Sequence, residues 1–195
     1  MDKETLRLFT RIPTLKTARL VLRKISATDL EDCYEYSSDP EVPKYLLWYP
    51  HTERSFTRYY LGYVERKYRR GEFYDWGIEL DGKMIGTVGF TSLDVNNNAG
   101  EVGYVLNRRF WGLGIATEAL NEVLRFGFEI LSLERIYAKF IIQNEKSREV
   151  LCRCGMREEG VHRHAIFSKN KYHDISVYAI TRAEWLENRI ANSPS

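Results

Sequence analysis

The sequence predicts a mixed-sheet α/β domain on three observations. Two β-rich runs flank Asp81-Gly82, a pair suited to the positive φ angles of a tight hairpin turn. A glycine turn at 112–114 stands between another strand-like run and an amphipathic helical one. Two final β-rich runs flank a polar turn near the C-terminus. The order is therefore strand, two helices, antiparallel meander, helix, strand, helix and closing hairpin.

Taken in order, Arg19 to Ile25 alternates apolar and basic residues in part and reads as a strand. Ser26-Ala-Thr-Asp29 supplies N-cap groups for a helix through Cys33 and Tyr36. An aromatic loop, Leu46 to His51, leads to a second helix from about Glu53 to Arg70, where Phe56, Tyr60, Leu61 and Val64 recur near helical spacing. Tyr74 to Leu80 and Met84 to Phe90 form the hairpin about Asp81-Gly82, and Gly100 to Leu106 follows the turn at Asn96 to Asn98. The next helix has an apolar stripe of Ile115, Ala119, Leu120, Val123, Leu124 and Gly127. Arg135 to Ile142 is a strand, and Glu145 to Cys154 a short helix stopped by Gly155. Strands at about Arg157 to Phe167 and Tyr172 to Ile180 meet at Ser168-Lys-Asn170, and Thr181 caps a last helix holding Trp185.

The 195 residues suit one domain, 1–195, with loose ends expected at 1–13 and 191–195. A formal net charge of +2 gives no whole-molecule field to draw the chain onto nucleic acid, so no direct nucleic-acid partner is expected. No apolar run approaches the length of a membrane span, so no membrane partner is expected either. Cys33, Cys152 and Cys154 are an odd set without zinc or redox spacing, which reads as reduced thiols of a cytoplasmic protein. His162-x-His164 lacks the third and fourth donors a metal needs, so no metal is expected.

The chemistry concentrates in Arg109-Phe-Trp-Gly-Leu-Gly-Ile-Ala-Thr117. Glycines at a strand-to-helix turn bring several N–H groups toward one point, and the helix dipole there favours an anion. Thr117 adds a hydroxyl in the first turn. A Walker loop would need Gly-Lys-Ser/Thr, and no lysine occurs between Met84 and Lys139. A dinucleotide fingerprint would need a small residue where Thr117 stands and a first parallel strand before it, whereas here a meander precedes.

What remains, Arg-x-x-Gly-x-Gly, resembles motif A of the GNAT superfamily of N-acetyltransferases. Glu101-Val-Gly-Tyr104, Trp111-Gly-Leu-Gly114 and Ala116-Thr-Glu-Ala119 resemble its ribosomal-protein N-terminal acetyltransferase branch, known as RimJ/RimL. So do Thr17-Ala-Arg-Leu20, Asn144-Glu-Lys-Ser147 with Val150-Leu151 and Gly155, and Tyr172-His-Asp174, which together span nearly the whole chain. The resemblance implies a mostly antiparallel mixed sheet of about seven strands, helices on both faces and a V-shaped splay between two central parallel strands. It also implies acetyl-CoA as acetyl donor. The backbone of Tyr104, Val105 and Leu106 would then pair with the pantetheine arm. The amides from Arg109 through Gly112, Leu113, Gly114, Ile115 and Ala116 to Thr117 would hold the pyrophosphate, and Asn144 would bind the pantetheine side.

An amine acceptor must lose a proton before it attacks a thioester, and Glu101, in an otherwise apolar segment, is the candidate base. An α-amine of pKa near 8 is about 10% neutral at pH 7, against below roughly 0.1% for lysine, which favours an N-terminal acceptor. Many GNAT enzymes carry a tyrosine acid seven residues after the motif asparagine, but that position here is Leu151. The resemblance assigns Ser147 to the departing sulfur instead. Trp48, Tyr49 and His51, with Tyr172 and Asp174, would wall the acceptor slot or serve as structural staples. The implied partner is a peptide or protein N-terminus, such as that of a ribosomal protein, and the enzyme a monomer or homodimer. The alternatives are a small-amine acceptor (polyamine, amino-sugar or amino acid), a non-catalytic acyl-CoA-binding module, and an RNA-binding protein built on Arg66-Lys-Tyr-Arg-Arg70 with Tyr68 as a stacking group.

Overall fold

The computed structural model describes residues 7–191. Strands β1 (Leu15–Lys16), β2 (Val21–Arg23), β3 (Tyr74–Leu80), β4 (Lys83–Asp94), β5 (Ala99–Leu106), β6 (Arg135–Ile141), β7 (Arg157–Ser168) and β8 (Lys171–Thr181) form one sheet in the order β1-β2-β3-β4-β5-β6-β8-β7. Every neighbouring pair is antiparallel except β5–β6. The strand beyond the expected seven is the two-residue β1. Helices are α1 (Leu30–Ser37), α2 (Arg54–Arg69), α3 (Ile115–Glu129), α4 (Glu145–Arg153) and α5 (Arg182–Ala191). Among the described residues no helix is long and apolar enough to cross a membrane.

The turn chemistry is local. Asp81 and Gly82 have φ of +50° and +79°, which the β3–β4 hairpin requires. Lys169 (+51°) and Asn170 (+62°) turn β7 into β8 in the same way without glycine. The α3 stripe from Ile115 to Gly127 is buried against the sheet as its spacing predicts.

The expected loose ends lie outside the described residues at 1–6 and 192–195. Within residues 7–13, Phe9 is fully buried, edge-on to Tyr74 at 4.6 Å and to Trp76 at 6.0 Å, and Trp76 Nε1 donates to the Pro13 carbonyl at 2.7 Å. Burying an aromatic ring of that size contributes about 2–3 kcal/mol, enough to hold the segment down. Tyr68 is likewise core, its hydroxyl donating to the Asp75 carbonyl at 2.5 Å and accepting from Ile25 N, so it presents no stacking face to RNA.

Candidate active site

β5 and β6 pair at three positions, Ala99–Arg135, Gly100–Ile136 and Glu101–Tyr137, and then part. β4 stays paired with β5 as far as Leu106, and β8 with β6 as far as Ile141, so each strand keeps one partner while its facing edge is left bare. The opening widens into a cleft of about 600 Å³ with Tyr104, Val105 and Leu106 on one wall and Asn144, Ser147 and Val150 on the other. A bare strand edge can accept an extended, amide-bearing ligand as a further strand would be accepted.

At the far end of the cleft lie Gly112 and Gly114, with φ of +77° and +75°. A Cβ on Gly112 would meet nothing within 4 Å, so the turn needs glycine there for its backbone shape rather than for space. The first bond of α3 runs from Glu118 N to the Gly114 carbonyl, and the amides of Gly112 to Thr117 donate to no backbone acceptor among the described residues. Thr117 Oγ1 is buried and has no hydrogen-bond partner, the kind of atom a ligand satisfies. Free amides, a helix N-terminus and an orphan hydroxyl fit a diphosphate.

The cradle is shorter than the sequence suggested. Arg109 N donates to Asn107 Oδ1 at 3.0 Å, Phe110 N to the Asn107 carbonyl and Trp111 N to the Arg108 carbonyl, because Asn107 caps a 3₁₀ turn over Arg108–Phe110. The Arg109 guanidinium points out of the cleft and pairs with Glu35 at 3.3 Å. Leu113 is exposed, and its carbonyl accepts from Arg19 Nη1 at 3.0 Å. Arg19 also clasps Glu118 at 2.6 Å, and Thr17 Oγ1 donates to the same carboxylate at 2.5 Å. The early Thr17-x-Arg19 segment thus locks the first turn of α3. Burial raises the Glu118 carboxyl, but these hydrogen bonds outweigh it and hold the group below the usual carboxylate range.

Glu101 is the last β5 residue paired before the strands part. Its surroundings are not purely apolar: Lys139 Nζ, from β6, lies 3.1 Å from Oε2. Asn144 caps α4, its Oδ1 accepting from Ser147 N at 3.3 Å. The Tyr104 hydroxyl reaches across the opening to the Ser147 carbonyl at 3.2 Å, and burial pushes that phenol well above its ordinary range. Leu151 is buried in the core.

The residues expected at the acceptor side lie outside this cleft, which is instead closed by Glu41 to Leu46. His51 Nδ1 is shared between Ser37 Oγ (3.1 Å) and Thr57 Oγ1 (2.8 Å), and Trp48 packs 5.6 Å from its ring against the core. Both act as staples. Asp174 Oδ1 accepts from His164 N at 2.7 Å within the β7–β8 hairpin. Tyr49 and Tyr172 are exposed, and Lys169 joins the two segments by bonding the Pro43 carbonyl and lying 5.8 Å from the Tyr49 ring. Sequence reasoning missed Lys146, which lines the cleft with its ammonium 4.1 Å from the Trp111 ring centroid. Its neighbours Asn144 and Ser147 were legible as a motif, but no local pattern signals an approach from α4 to the glycine turn.

A sheet opened between two parallel strands, with free amides and an orphan hydroxyl at the end of the opening, fits an extended amide-bearing ligand that carries a diphosphate, as coenzyme A does. The chain belongs to the GNAT acetyltransferase family, matching the acetyltransferase (GNAT) domain over residues 19–157, and it is an acetyl-CoA-dependent N-acetyltransferase. It is 34% identical to the uncharacterized N-acetyltransferase p20 of Bacillus licheniformis over 88% of this chain and 98% of that protein. It is 25% identical to the [ribosomal protein uS5]-alanine N-acetyltransferase of Escherichia coli over 90% of this chain and 94% of that one. The crystal structure of a GNAT-family acetyltransferase from Bacillus anthracis superposes with a TM-score of 0.78 at 29% identity, covering 88% of this chain and 99% of its own.

Proposed function

We propose that this N-acetyltransferase acts on the N-terminal α-amine of a protein, such as a ribosomal protein, in the cytoplasm. The observation that carries this is the carboxylate of Glu101, the last β5 residue paired before β5 and β6 part. A single carboxylate suits an α-amine, whose proton is far easier to remove than that of a lysine. The likeness to the uS5-alanine N-acetyltransferase supports the same acceptor class. Three free cysteines suit a reducing compartment.

When bound, acetyl-CoA supplies the thioester carbonyl that the amine attacks. The amides of Gly112 to Thr117 and Thr117 Oγ1 hold its diphosphate, the bare edge of Tyr104 to Leu106 aligns its pantetheine arm, and the Asn144 side chain binds the same arm from the other wall. Lys139 orients the Glu101 carboxylate, which takes the proton from the ammonium. Ser147 Oγ donates to the sulfur as it leaves. A thiol of pKa about 8.5 leaves readily, so the hydroxyl orients more than it protonates. The test is an acceptor panel with acetyl-CoA comprising a ribosomal-protein N-terminal peptide, spermidine and glucosamine. Acetylation of the peptide at its α-amine with the highest kcat/KM is expected, and an unreactive peptide removes the proposal.

A further inference from the structure

Asp75 stands on β3 directly opposite Gly89 of β4, and Gly89 directly opposite Gly103 of β5. Residues in register across a sheet project to one face, and on β5 the residue two before Gly103 on that face is Glu101. Two glycines therefore leave a strip of bare backbone about 10 Å wide, two strand spacings, between the carboxyl-bearing positions. The Asp75 side chain leans over this strip: a Cβ on Gly89 would lie 2.4 Å from Asp75 Oδ1. Beyond it a Cβ on Gly103 would meet one atom within 4 Å, Thr91 Cγ2 at 2.9 Å, so the end of the Thr91 side chain bounds the strip there.

Asp75 Oδ1 is out of reach of solvent and has no hydrogen-bond partner. Among the described residues it shares that condition with one other side-chain atom, Thr117 Oγ1, at the opposite end of the site. A buried carboxyl oxygen left unpaired is costly, and a donor arriving with a ligand removes the cost. Burial alone raises this carboxyl to about 7, so near neutral pH it exchanges its proton readily. Tyr60 and Tyr68 of α2 lie close enough that the Asp75 charge adds to burial in raising both phenols. Among the described residues no cationic side chain forms an ion pair with the carboxyl.

We propose that Asp75 is an acceptor-binding residue: its carboxylate receives the ammonium of a primary-amine acceptor that enters over Gly89 and Gly103, while Glu101 bounds the far side of the same space. An ammonium N–H donates to Oδ1 and the amine is held there, while the proton it loses passes to Glu101 and leaves a neutral amine to attack. The proton returns to solvent after the acetylated product leaves. This deepens the acceptor reading above and rests on it only for the class of acceptor, a primary amine.

The test is Asp75→Asn in the full chain, assayed with the alanyl N-terminal peptide, spermidine and glucosamine. For every amine that the wild type acetylates, kcat/KM should fall at least tenfold, with KM for acetyl-CoA within twofold of wild type and partial recovery in Asp75→Glu. Gly103→Ala, which presses a methyl against Thr91 Cγ2 and narrows the strip, should raise the amine KM at least fivefold and leave acetyl-CoA binding intact; it also serves if Asp75→Asn fails to fold. A kcat/KM within twofold of wild type in Asp75→Asn overturns the assignment, an unchanged amine KM in Gly103→Ala overturns it, and so does a wild type that acetylates none of the three. A peptide that stays unreactive while spermidine or glucosamine is acetylated removes the N-terminal acceptor alone, and Asp75 is then judged on the amine that reacts.

Discussion

The Tyr104 hydroxyl donates to the Ser147 backbone carbonyl at 3.2 Å and ties β5 to the first turn of α4 across the mouth of the splay. The contact sets the separation of the two cleft walls at the level where the pantetheine arm would lie. Tyr104→Phe removes one part-buried hydrogen bond and should cost about 1 kcal/mol of stability, read by urea denaturation. KM for acetyl-CoA should rise several-fold in the same variant. Ser147→Ala keeps the carbonyl and should leave stability within about 0.5 kcal/mol of wild type.

Glu101 and Ser147 differ in what they are asked to do. A positioned base contributes about 10²–10⁴ in rate, whereas a hydroxyl beside a good leaving group contributes less. Glu101→Gln should therefore lower kcat/KM for the acceptor by at least about 100-fold, and Ser147→Ala by about tenfold or less. Steady-state kinetics on both variants decides the order; near-native values in both would remove both roles.

The clasp of Thr17 and Arg19 on Glu118 supports the cradle from behind. Its carboxyl is held below the usual range, so the stability it contributes is present above the unfolded value near 4.3 and is lost as pH falls through the lower folded value. Glu118→Gln should cost about 1 kcal/mol at pH 7 and much less near pH 3, and should weaken coenzyme A binding. Equal denaturation midpoints at pH 7 would contradict this.

Asp75 gives the opposite pH dependence. Burial raises it to about 7, above an unfolded value near 3.9, so the folded chain keeps a proton that the unfolded chain has lost. Stability should decline between about pH 4 and pH 7 and then level off. The difference between wild type and Asp75→Asn, measured by denaturation at pH 5 and pH 8, should favour the variant more at pH 8. A difference independent of pH would contradict it.

Much of this was legible because it is local. The Asp81-Gly82 turn, the α3 stripe and the glycine turn each depend on residues a few positions apart, and each formed where its spacing put it. What could not be read depends on separation along the chain. Asn107 takes the Arg109 amide through a cap that competes with the ligand for the same donor. Phe9 is held down by a sheet residue 65 or more positions later, through contacts with Tyr74 and Trp76. Lys139 reaches Glu101 only because β6 lies parallel to β5. The aromatic loop was visible, but the inward turn of Trp48 and His51 is decided by partners at Ser37 and Thr57.

Isothermal titration calorimetry comparing coenzyme A with pantetheine, which lacks the diphosphate, tests the main-chain cradle most directly. Coenzyme A should bind the wild type with a micromolar Kd on the order of −8 kcal/mol, pantetheine at least about 100-fold more weakly, and Gly114→Val should lose most of the difference. Equal affinities for the two ligands, or no association with coenzyme A at millimolar concentration, would contradict the account.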